Sequence, residues 1–296
     1  MSDHGDEAAA DDVCVVILST GNRPVELGAA IESAVGQVDV RAGVVVVANG
    51  ITSGELGLRA VRGLRFVELS QNAGIPGGRN AGAAAATATV IAFLDDDAVF
   101  IDATVLARAV DRFCSEPRLG AVALRIVDED GRTARRHVPR VGARDPARSG
   151  PVTAFLGGAV AVRTAAFRDV GGYAEAFTYA MEETDMALRL VDHGWEIVYD
   201  GTPAVFHPAT EPSRHPGAAE RTMRNRVWLA HRNLPLVVGV GYVLTWLAIS
   251  TTRRPAHALM LARAAWSGWR TRPGPRAPIR WRTVARLTRL GRPPVI

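Results

Sequence analysis

The sequence predicts an α/β fold with a mostly parallel sheet, followed by a helical, Arg/Trp-rich C-terminal extension. Residues 13–220 alternate short runs of β-branched residues with amphipathic stretches, which is typical of α/β domains. The charges are divided as well, since all 30 acids and 20 of the 35 Arg lie in residues 1–220, giving −10 there. The other 15 Arg lie in residues 221–296, which contain no acid and carry +15. This contrast indicates two physically different regions.

Composition narrows the class of protein. The chain has 296 residues, of which 48% are apolar, so it can bury a core and is not a disordered chain. With Cys14 and Cys114 as its two cysteines, the sequence excludes a disulfide framework and a thiolate zinc cluster and favours a reducing compartment. The acidic N-terminus lacks the basic and apolar segments of a signal peptide. We therefore expect a disordered tail over 1–12 and a cytoplasmic protein.

Apolar runs predict the strands and helices in chain order. Strands are expected over 13–18, 44–48, 65–70 and 90–94, and helices over 25–36, 55–62, 77–88 and 102–115. Further on, a helix begins near residue 182, and the stretch 195–207 reads as two short strands ending at His207. Ligands of such sheets bind at the carboxyl ends of the strands. The loops after the strands are therefore the candidates for function.

The glycine-rich stretch from Asn72 to Gly82 is the first such candidate. The sequence has no G-x-G-x-x-G after its first strand and no G-x-x-x-x-G-K-[ST], which disfavours a dinucleotide-binding domain and a phosphate-loop NTPase. Gly77, Gly78 and Arg79 instead open a predicted helix, where backbone N–H groups and a guanidinium favour a phosphate. A Gly/Pro loop before a helix is also a common structural feature, so both interpretations stay open.

Three consecutive carboxylates, Asp95, Asp96 and Asp97, follow the fourth strand. Their mutual repulsion costs stability unless a cation or a hydroxyl-rich ligand lies among them. Asp95 and Asp97 point to the same side if the strand geometry persists. Oxygen ligands of this kind suit Mg²⁺ or Mn²⁺, which complete their shell with substrate phosphates. A solvated acidic turn is the alternative.

The C-terminal extension, residues 221–296, is called the tail below. It contains the longest uncharged stretch of the chain, residues 234–250, which is slightly shorter than a bilayer span. An interfacial helix, a core or dimer helix and a true span all fit it. Five of the six Trp lie in the tail among its Arg, a composition that suits an anionic membrane surface. The tail can also dock on residues 1–220, called the body below, because the opposite charges of the two regions complement each other. Nucleic-acid binding is disfavoured because the body carries −10.

Taken together, the motifs resemble those of family-2 glycosyltransferases, enzymes with the Rossmann-like GT-A fold that transfer a sugar from a nucleotide donor with inversion. VVILSTGNRP is similar to the family's first strand and donor loop, NAGIPGGRNAG to its arginine segment, and FLDDDA to its D-x-D metal motif. VGGY, EETD and VFHP resemble its acceptor turn, its acid segment and its strand-end His. The resemblance covers essentially the whole chain. It implies a GT-A domain over 13–220, with a donor half over 13–100 and an acceptor half over 101–220, and a membrane-associating or docking extension over 221–296.

The resemblance also implies roles for individual residues. The base is expected to be Glu183, with Glu182 and Asp185 as reserves. Mg²⁺ or Mn²⁺ is expected on Asp97, His207 and Asp95. The donor, a UDP- or dTDP-sugar, is expected on Ser19, Thr20, Asn22, Arg23, Asn49, Asn72, Gly77, Gly78, Arg79, Asn80, Asp95 and Asp96. A hydroxyl acceptor is expected on Phe155, Gly157, Gly158, Gly172 and Tyr173.

The substrates follow from a narrower likeness. The tail resembles that of actinobacterial rhamnosyl- and galactofuranosyltransferases, which implies cell-wall or polysaccharide biosynthesis on a lipid-linked acceptor, at the inner face of the cell membrane. Ala48-Asn49-Gly50-Ile51 departs from the family's Asp-Asn-Gly-Ser, so the nucleotide base is open. A soluble natural-product acceptor, a non-catalytic scaffold and a homodimer also stay open. A sugar nucleotidyltransferase is disfavoured because the chain lacks the Lys that those enzymes use.

Overall fold

A computed structural model describes residues 11–58, 64–142, 145–209 and 217–295. Residues 1–10 of the predicted disordered N-terminal segment lie outside the described residues. Asp12 is described, and its carboxylate accepts hydrogen bonds from Arg41 at the start of the fold. Of the helix predicted over 55–62, residues 55 and 56 lie in a short 3₁₀ turn, Ser53–Leu56, and residues 59–62 lie outside the described residues.

Within the described residues the chain forms nine strands and nine α-helices. The strands are β1 (Val13–Ser19), β2 (Ala42–Asn49), β3 (Leu64–Leu69), β4 (Val90–Asp95), β5 (Val99–Phe100), β6 (Leu119–Val127), β7 (Gly150–Val152), β8 (Ala159–Arg163) and β9 (Glu196–Phe206). The helices of the body are α1 (Pro24–Val35), α2 (Gly74–Ala85), α3 (Val105–Ser115), α4 (Thr164–Asp169) and α5 (Glu182–His193). Those of the tail are α6 (Ala218–Asn233), α7 (Leu236–Arg253), α8 (Ala258–Arg270) and α9 (Trp281–Arg289).

The strands form one sheet in the order β3-β2-β1-β4-β8-β6-β9-β5, with β7 paired to β9. The first four are parallel, as the sequence predicts. Beyond β4 the sheet is mixed, because β8 runs antiparallel to both of its neighbours while β6 and β9 are parallel to each other. The fold is therefore α/β as predicted, with parallel strand pairs among β1 to β4 and a mixture of parallel and antiparallel pairs beyond β4.

The end of the sheet beside β4 brings the predicted metal ligands together. The stretch 195–207 contains one strand, β9, rather than the two predicted, and register shifts against β6 accommodate its irregularity. β5 lies two residues after Asp97 and pairs antiparallel with the end of β9, matching Val99 to Phe206. This pairing brings His207, the next residue after β9, to the carboxyl end of β4.

Helix α2 lies close against the sheet because its glycines leave room for the strands. A Cβ on Gly78 would lie 2.2 Å from Leu18, and a Cβ on Gly82 would lie 2.3 Å from Val16. Pro76 falls in the first turn of the helix, where a missing N–H removes no helical hydrogen bond. Close packing therefore accounts for Gly78 and Gly82 without a ligand.

The tail packs on the face of the sheet that α2 and α5 cover. Its Trp228, Leu229, Tyr242 and Leu287 join the same buried cluster as the sheet residues. Three ion pairs reinforce the contact, joining Arg232 to Asp185 at 3.0 Å, Arg280 to Asp192 at 3.3 Å and Arg286 to Glu196 at 3.2 Å. Part of the opposite charge of the two regions is thus matched within the molecule.

Helix α7 differs from the other tail helices. Among the described residues it is the one helix long and apolar enough to cross a membrane by length and composition. Only 11% of the helix is buried. Leu236, Val240 and Leu244, spaced one helical turn apart, are all more than half exposed. Tyr242 on α7 is buried against the body. The helix therefore presents one apolar face outward.

Candidate active site

The candidate metal ligands converge at the end of β4. Ligand atoms of Asp95, Asp97 and His207 all lie within 4.8 Å of one another. His207 Nε2 is 3.3 Å from Asp97 Oδ1 and 4.0 Å from Asp95 Oδ2. Two carboxylates and one imidazole form an oxygen-rich set that suits Mg²⁺ or Mn²⁺, so the residues fit the cation that the sequence implies.

His207 is oriented for this position by its other ring nitrogen. Nδ1 lies 2.8 Å from the carbonyl oxygen of Pro208, to which it donates a hydrogen bond, so Nε2 faces the carboxylates. Burial opposes protonation of the ring, but Asp97 outweighs it and raises the pKa of His207 above its usual range. Its neighbour His137 has a pKa lowered to about 4, by burial and then by Arg136 and His207.

The last residue of β1 and the loop that follows it contact Asp96 and Asp97. Ser19 Oγ donates to Asp96 at 2.7 Å, and Arg23 forms ion pairs with both Asp96 and Asp97. Burial raises the pKa of Asp96 despite these partners. Ser19 and Arg23 are therefore placed at the predicted donor site. Thr20 and Asn22 lie in the same loop, hydrogen-bonded to each other, and their contact with a donor stays a prediction.

Asn49 and Asn72 hold the start of α2. The buried Asn49 amide donates to Asn72 Oδ1 at 3.1 Å, and its oxygen accepts from the N–H of Ala73 at 2.9 Å. Asn72 Oδ1 also accepts from Gly74 N–H. Both side chains are thus engaged in the loop, and the contact of Asn49 and Asn72 with the donor stays a prediction.

The helix terminus predicted to hold a phosphate is already satisfied. Gly74 N–H donates to Asn72, and Ile75 N–H donates to the carbonyl of Thr178. Gly77 and Gly78 are buried inside the helix rather than in a loop before it, because α2 begins at Gly74. The geometry therefore corrects the prediction that their N–H groups cradle the donor.

Arg79 is the buried centre of the site. Its Nη2 lies 2.9 Å from Asp95 Oδ1, and its Nη1 lies 3.6 Å from Glu183 Oε1. Its guanidinium also lies 5.8 Å from the centre of the Tyr173 ring. Burial opposes its charge, but the surrounding acids, Asp95 foremost, raise its pKa further. Arg79 thus links the candidate metal ligands to the acids of α5.

Gly157 and Gly158 are required by this contact. A Cβ on Gly157 would lie 1.9 Å from Arg79 Nη1, and a Cβ on Gly158 would lie 2.0 Å from Asp95 Oδ2. Gly157 N–H also donates to Glu183 Oε1 at 3.3 Å. These glycines, predicted to contact the acceptor, therefore bring the loop directly against the charged residues of the site.

The three acids of α5 have different surroundings. Glu183 lines the cavity and keeps about a quarter of its side chain exposed. Glu182 is buried, and burial together with Glu183 raises its pKa to about 8. Asp185 is fully buried, and its oxygens accept from Arg189, Arg232 and Asn233. Asp185 thus holds the tail to the body, which disagrees with its assignment as a reserve base.

The loop before α5 is strained and anchored by the tail. Thr178, Ala180 and Met181 all have positive φ, which costs free energy in residues other than glycine. Asn225 of α6 is buried, and its amide donates to the carbonyls of Tyr179 and Ala180. The tail therefore fixes the backbone that positions Glu182 and Glu183.

Gly172, Tyr173 and Asn80 form a second anchored turn. Asn80 Oδ1 accepts from Tyr173 N–H at 2.9 Å, and its amide donates to the Tyr173 carbonyl and to Glu175. Gly172 has φ +66°, which favours glycine. Tyr173 is buried among Phe93 and Phe167. Asn80, Gly172 and Tyr173 therefore support the site from behind instead of touching a donor or an acceptor directly.

These elements enclose an open cavity of about 580 Å³. One part of its wall carries Asp95, His207, Glu182 and Glu183, and Phe155 contributes an apolar surface. Four arginines also line the wall: Arg135, Arg136, Arg140 and Arg292. Sequence reasoning missed these four Arg, because no motif marks them and Arg292 lies far along the chain from every other site residue.

Comparison with curated proteins gives weak but consistent relatives. The chain is 28% identical over 190 residues to the pre-mycofactocin glycosyltransferase of Mycobacterium tuberculosis, strain H37Rv, and equally to that of strain CDC 1551 / Oshkosh. The match covers 58% of this chain and 39% of the relative. The chain therefore spans about two fifths of the length of the curated relatives it matches.

Solved structures share the fold at low sequence identity. S. aureus TarS, residues 1–349, matches with a TM-score of 0.61 and 15% identity over 88% of this chain and 81% of that one. The mannosyltransferase PcManGT of Pyrobaculum calidifontis, solved with GDP-Man and Mn²⁺, has a TM-score of 0.55 and 18% identity, covering 95% and 80%. GalNAc-T7 with UDP, GalNAc and Mn²⁺ has a TM-score of 0.59 and 13% identity, covering 83% and 52%.

The family itself follows from a direct sequence match. The family model of glycosyl transferase family 2 matches residues 15–173, which is more than half of the chain. The match includes most of β1, Arg79, the strand-end acids and the Gly171–Tyr173 turn. The mixed α/β sheet and the strand-end Asp-Asp-His cluster agree with this match. The chain belongs to glycosyl transferase family 2.

Proposed function

We propose that the protein is an inverting, metal-dependent glycosyltransferase that transfers a hexose from a nucleotide-diphosphate sugar to a hydroxyl of a lipid-linked acceptor. One observation carries the proposal. Asp95 and His207 of the candidate metal site line the same cavity as Glu183, with Arg79 between them. Inversion requires a base on one side of the anomeric carbon and a stabilised leaving group on the other, and this cavity offers both.

On the donor side, Asp95, Asp97 and His207 would hold Mg²⁺ or Mn²⁺. When bound, the cation supplies a Lewis acid that offsets negative charge on the departing diphosphate. Ser19 and Arg23 hold Asp96 and Asp97 in place through hydrogen bonds and ion pairs. Arg23, half-buried in the same loop, adds positive charge where the donor diphosphate would lie.

On the acceptor side, Glu183 is the proposed base. It accepts the proton of the acceptor hydroxyl while that oxygen bonds to the anomeric carbon and the bond to the nucleoside diphosphate breaks. General-base assistance of this kind contributes about 10²–10⁴-fold. Gly157 N–H and Arg79 keep the Glu183 carboxylate oriented toward the cavity.

The first experiment measures donor binding by calorimetry with the purified full chain. UDP, dTDP and GDP are titrated with and without Mn²⁺, and we expect one of them to bind in a metal-dependent way. Asp97→Asn should lose the metal dependence, whereas Asp111→Asn, at an exposed position on α3, should keep it. If a folded sample bound none of the three nucleotides, the proposed function would be rejected. Rhamnose and galactofuranose donors of the bound nucleotide are then the first to test.

The proposed location is the cytoplasmic face of an anionic membrane. Leu236, Val240 and Leu244 form the exposed apolar face of α7, and Trp266 and Trp269 stack on the surface of α8 with ring centres 5.0 Å apart. The flanking Arg253, Arg254, Arg263, Arg270 and Arg272 supply the positive charge that anionic headgroups attract. An apolar face with a cationic border supports a helix lying on the membrane.

Point variants test the membrane contact better than truncation, because the tail also supports the site through Asn225. Val240→Glu combined with Leu244→Glu should abolish sedimentation with vesicles of phosphatidylglycerol and phosphatidylcholine. Val35→Glu, at an exposed apolar position on α1, should leave it unchanged. Sedimentation that survives the double variant would contradict the membrane location.

A second candidate acceptor comes from the M. tuberculosis relatives, which are named for pre-mycofactocin. We take such an acceptor as the soluble alternative to a lipid-linked one. It is favoured if purified protein transfers sugar to it in the absence of vesicles at the same rate as in their presence.

A further inference from the structure

A small side cavity opens beside Glu183, the proposed base. It measures about 120 Å³, well above the ~15 Å³ that one water molecule needs. Thr184, Met181 and Arg292 line both this side cavity and the catalytic cavity. Thr184 directly follows Glu183 in α5, so the two spaces meet next to the proposed base.

Two arginines in the wall of the side cavity have no acidic partner among the described residues. Arg226 Nη1 donates to Tyr242 Oη at 2.7 Å, and its guanidinium lies 3.5 Å from the centre of the Trp246 ring. Among the described residues, no carboxylate lies within 4.0 Å of Arg226 or Arg292. Arg292 makes no side-chain hydrogen bond within that part of the chain. Arg232, Arg280 and Arg286 of the tail, in contrast, each form an ion pair with an acid of residues 1–220.

The remaining polar groups of the side cavity also favour an anion. Trp246 Nε1 is buried and has no hydrogen-bond partner among the described residues. Thr153, Thr184 and Tyr242 contribute hydroxyls, and the other lining residues are apolar. No carboxylate occurs among the described residues that line the side cavity. Such a donor-rich space matches the acceptor-only oxygens of a phosphate.

The cost of this arrangement indicates that it serves a ligand. Arg stays protonated in proteins, so two neighbouring guanidinium groups held partly out of water without a counter-ion destabilise the fold. Burial lowers the pKa of both Arg226 and Arg292, which reflects the same penalty. A bound anion would remove it.

We propose that Arg292, Arg226 and Trp246 form a subsite for a phosphate group of the acceptor, next to the hydroxyl that Glu183 deprotonates. The assignment to the acceptor rests on the proposed function. The donor diphosphate is the other source of a phosphate, but its site already has Arg23 and the Asp-Asp-His cluster at the far side of Arg79. The acceptor class is thus a phosphorylated compound, whose phosphate lies close to its reacting hydroxyl.

Calorimetry with glycerol 3-phosphate tests the subsite while Mg²⁺ and UDP, or whichever of UDP, dTDP and GDP the first experiment selects, saturate the donor site. Glycerol 3-phosphate should bind and glycerol should not. Arg292→Met should weaken the binding about ten-fold or more, as expected for loss of a charge-assisted contact. Arg282→Met, at an exposed position on α9, should not weaken it. Equal binding of glycerol 3-phosphate by wild type and Arg292→Met would overturn the proposal.

Thermal unfolding provides a readout that a purely structural arginine would not give. Without phosphate, Arg292→Met should unfold at the same temperature as wild type or above it, because an unpaired cation is removed. Glycerol 3-phosphate should raise the Tm of wild type and not that of the variant. A lower Tm for both Arg292→Met and Arg292→Gln without ligand would identify a structural role and overturn the proposal.

UDP titrations separate this proposal from the proposed function. Arg292→Met should bind UDP with Mg²⁺ as wild type does, and weaker UDP binding would assign Arg292 to the donor and overturn the acceptor subsite. If wild type binds no nucleotide, the proposed function fails. Binding of glycerol 3-phosphate that depends on Arg292 would then still establish the anion site itself.

Discussion

Two clusters of three acids, each within a few residues of chain, reach opposite arrangements in the fold. The strand-end cluster, Asp95 to Asp97, lies where β4 ends, and all three carboxylates face cationic partners at one site. The helix-start cluster of Glu182, Glu183 and Asp185 begins α5. There one acid is buried without a full set of partners, one faces the cavity, and one is locked into ion pairs.

The difference follows from backbone geometry. At the end of a strand, the chain turns and alternate side chains return to the same side, so neighbouring carboxylates can share one cation. In a helix, successive side chains point about 100° apart, so neighbouring acids enter different surroundings. Proximity in sequence therefore identifies a shared site after a strand, but it does not identify the base at the start of a helix.

Loss of the strand-end metal site should have the largest effect. Asp97→Asn keeps the shape of the side chain but removes a ligand and a charge beside His207. We expect transfer to fall by about 10⁴-fold, since a bound cation contributes several kcal/mol to the transition state. The measurement is transfer rate against Mn²⁺ concentration.

Asp111→Asn, at an exposed position on α3, serves as the matched control and should retain wild-type turnover. Metal-dependent turnover near the wild-type level in a folded Asp97→Asn sample would remove Asp97 from the metal site.

Neutralising the cavity-facing acid of α5 should have the next largest effect. Glu183→Gln removes the proposed base while its amide can still contact Gly157 and Arg79, so we expect turnover to fall by about 10³-fold. Binding of the nucleotide with Mn²⁺ should be preserved, because the candidate metal ligands are unchanged. Single-turnover rates and nucleotide affinity together check this expectation.

The control is Glu26→Gln on the exposed side of α1, which should alter neither quantity. If turnover of Glu183→Gln stayed near that of wild type, Glu182 would have to be considered as the base instead.

Asp185, the acid of α5 that is held in ion pairs, should affect stability rather than catalysis. Asp185→Asn breaks a fully buried network with Arg189, Arg232 and Asn233, and removing one partner of a buried ion pair typically costs about 3–5 kcal/mol. We expect a drop in Tm on the order of 10 °C. Calorimetry checks this, and an unchanged Tm would show that the pairs with Arg189 and Arg232 contribute little.

Sequence reasoning was sufficient for features set by local chain geometry. The strands of the donor half and the grouping of Asp95, Asp97 and His207 were predicted, because β-branched runs and strand-end acids are read directly from neighbouring residues. The roles of Asn49 and Asn80 were not predicted, because their side chains hydrogen-bond to distant segments. The place of Gly77 was not predicted either, because α2 begins three residues before the expected helix. Nor could sequence indicate that Asn225 and Arg292 of the tail reach the site, since such contacts depend on how the tail packs on the sheet.

The smallest predicted effect concerns Glu182 and appears only as a function of pH. Burial, with Glu183 beside it, raises the pKa of Glu182 from 4.5 in the unfolded chain to about 8 in the native state. Between these values the native state binds a proton that the unfolded state has released, so the free energy of unfolding decreases as pH rises through this range. Glu182→Gln removes that dependence, and we expect its Tm to exceed that of wild type at pH 8 by about 2–4 °C for each kcal/mol involved. The advantage should shrink toward pH 5, where Glu182 is protonated in the native state and the charge penalty disappears. Glu26→Gln should follow the wild-type curve throughout, and parallel curves for wild type and Glu182→Gln would mean that Glu182 is ionised in the folded protein at neutral pH.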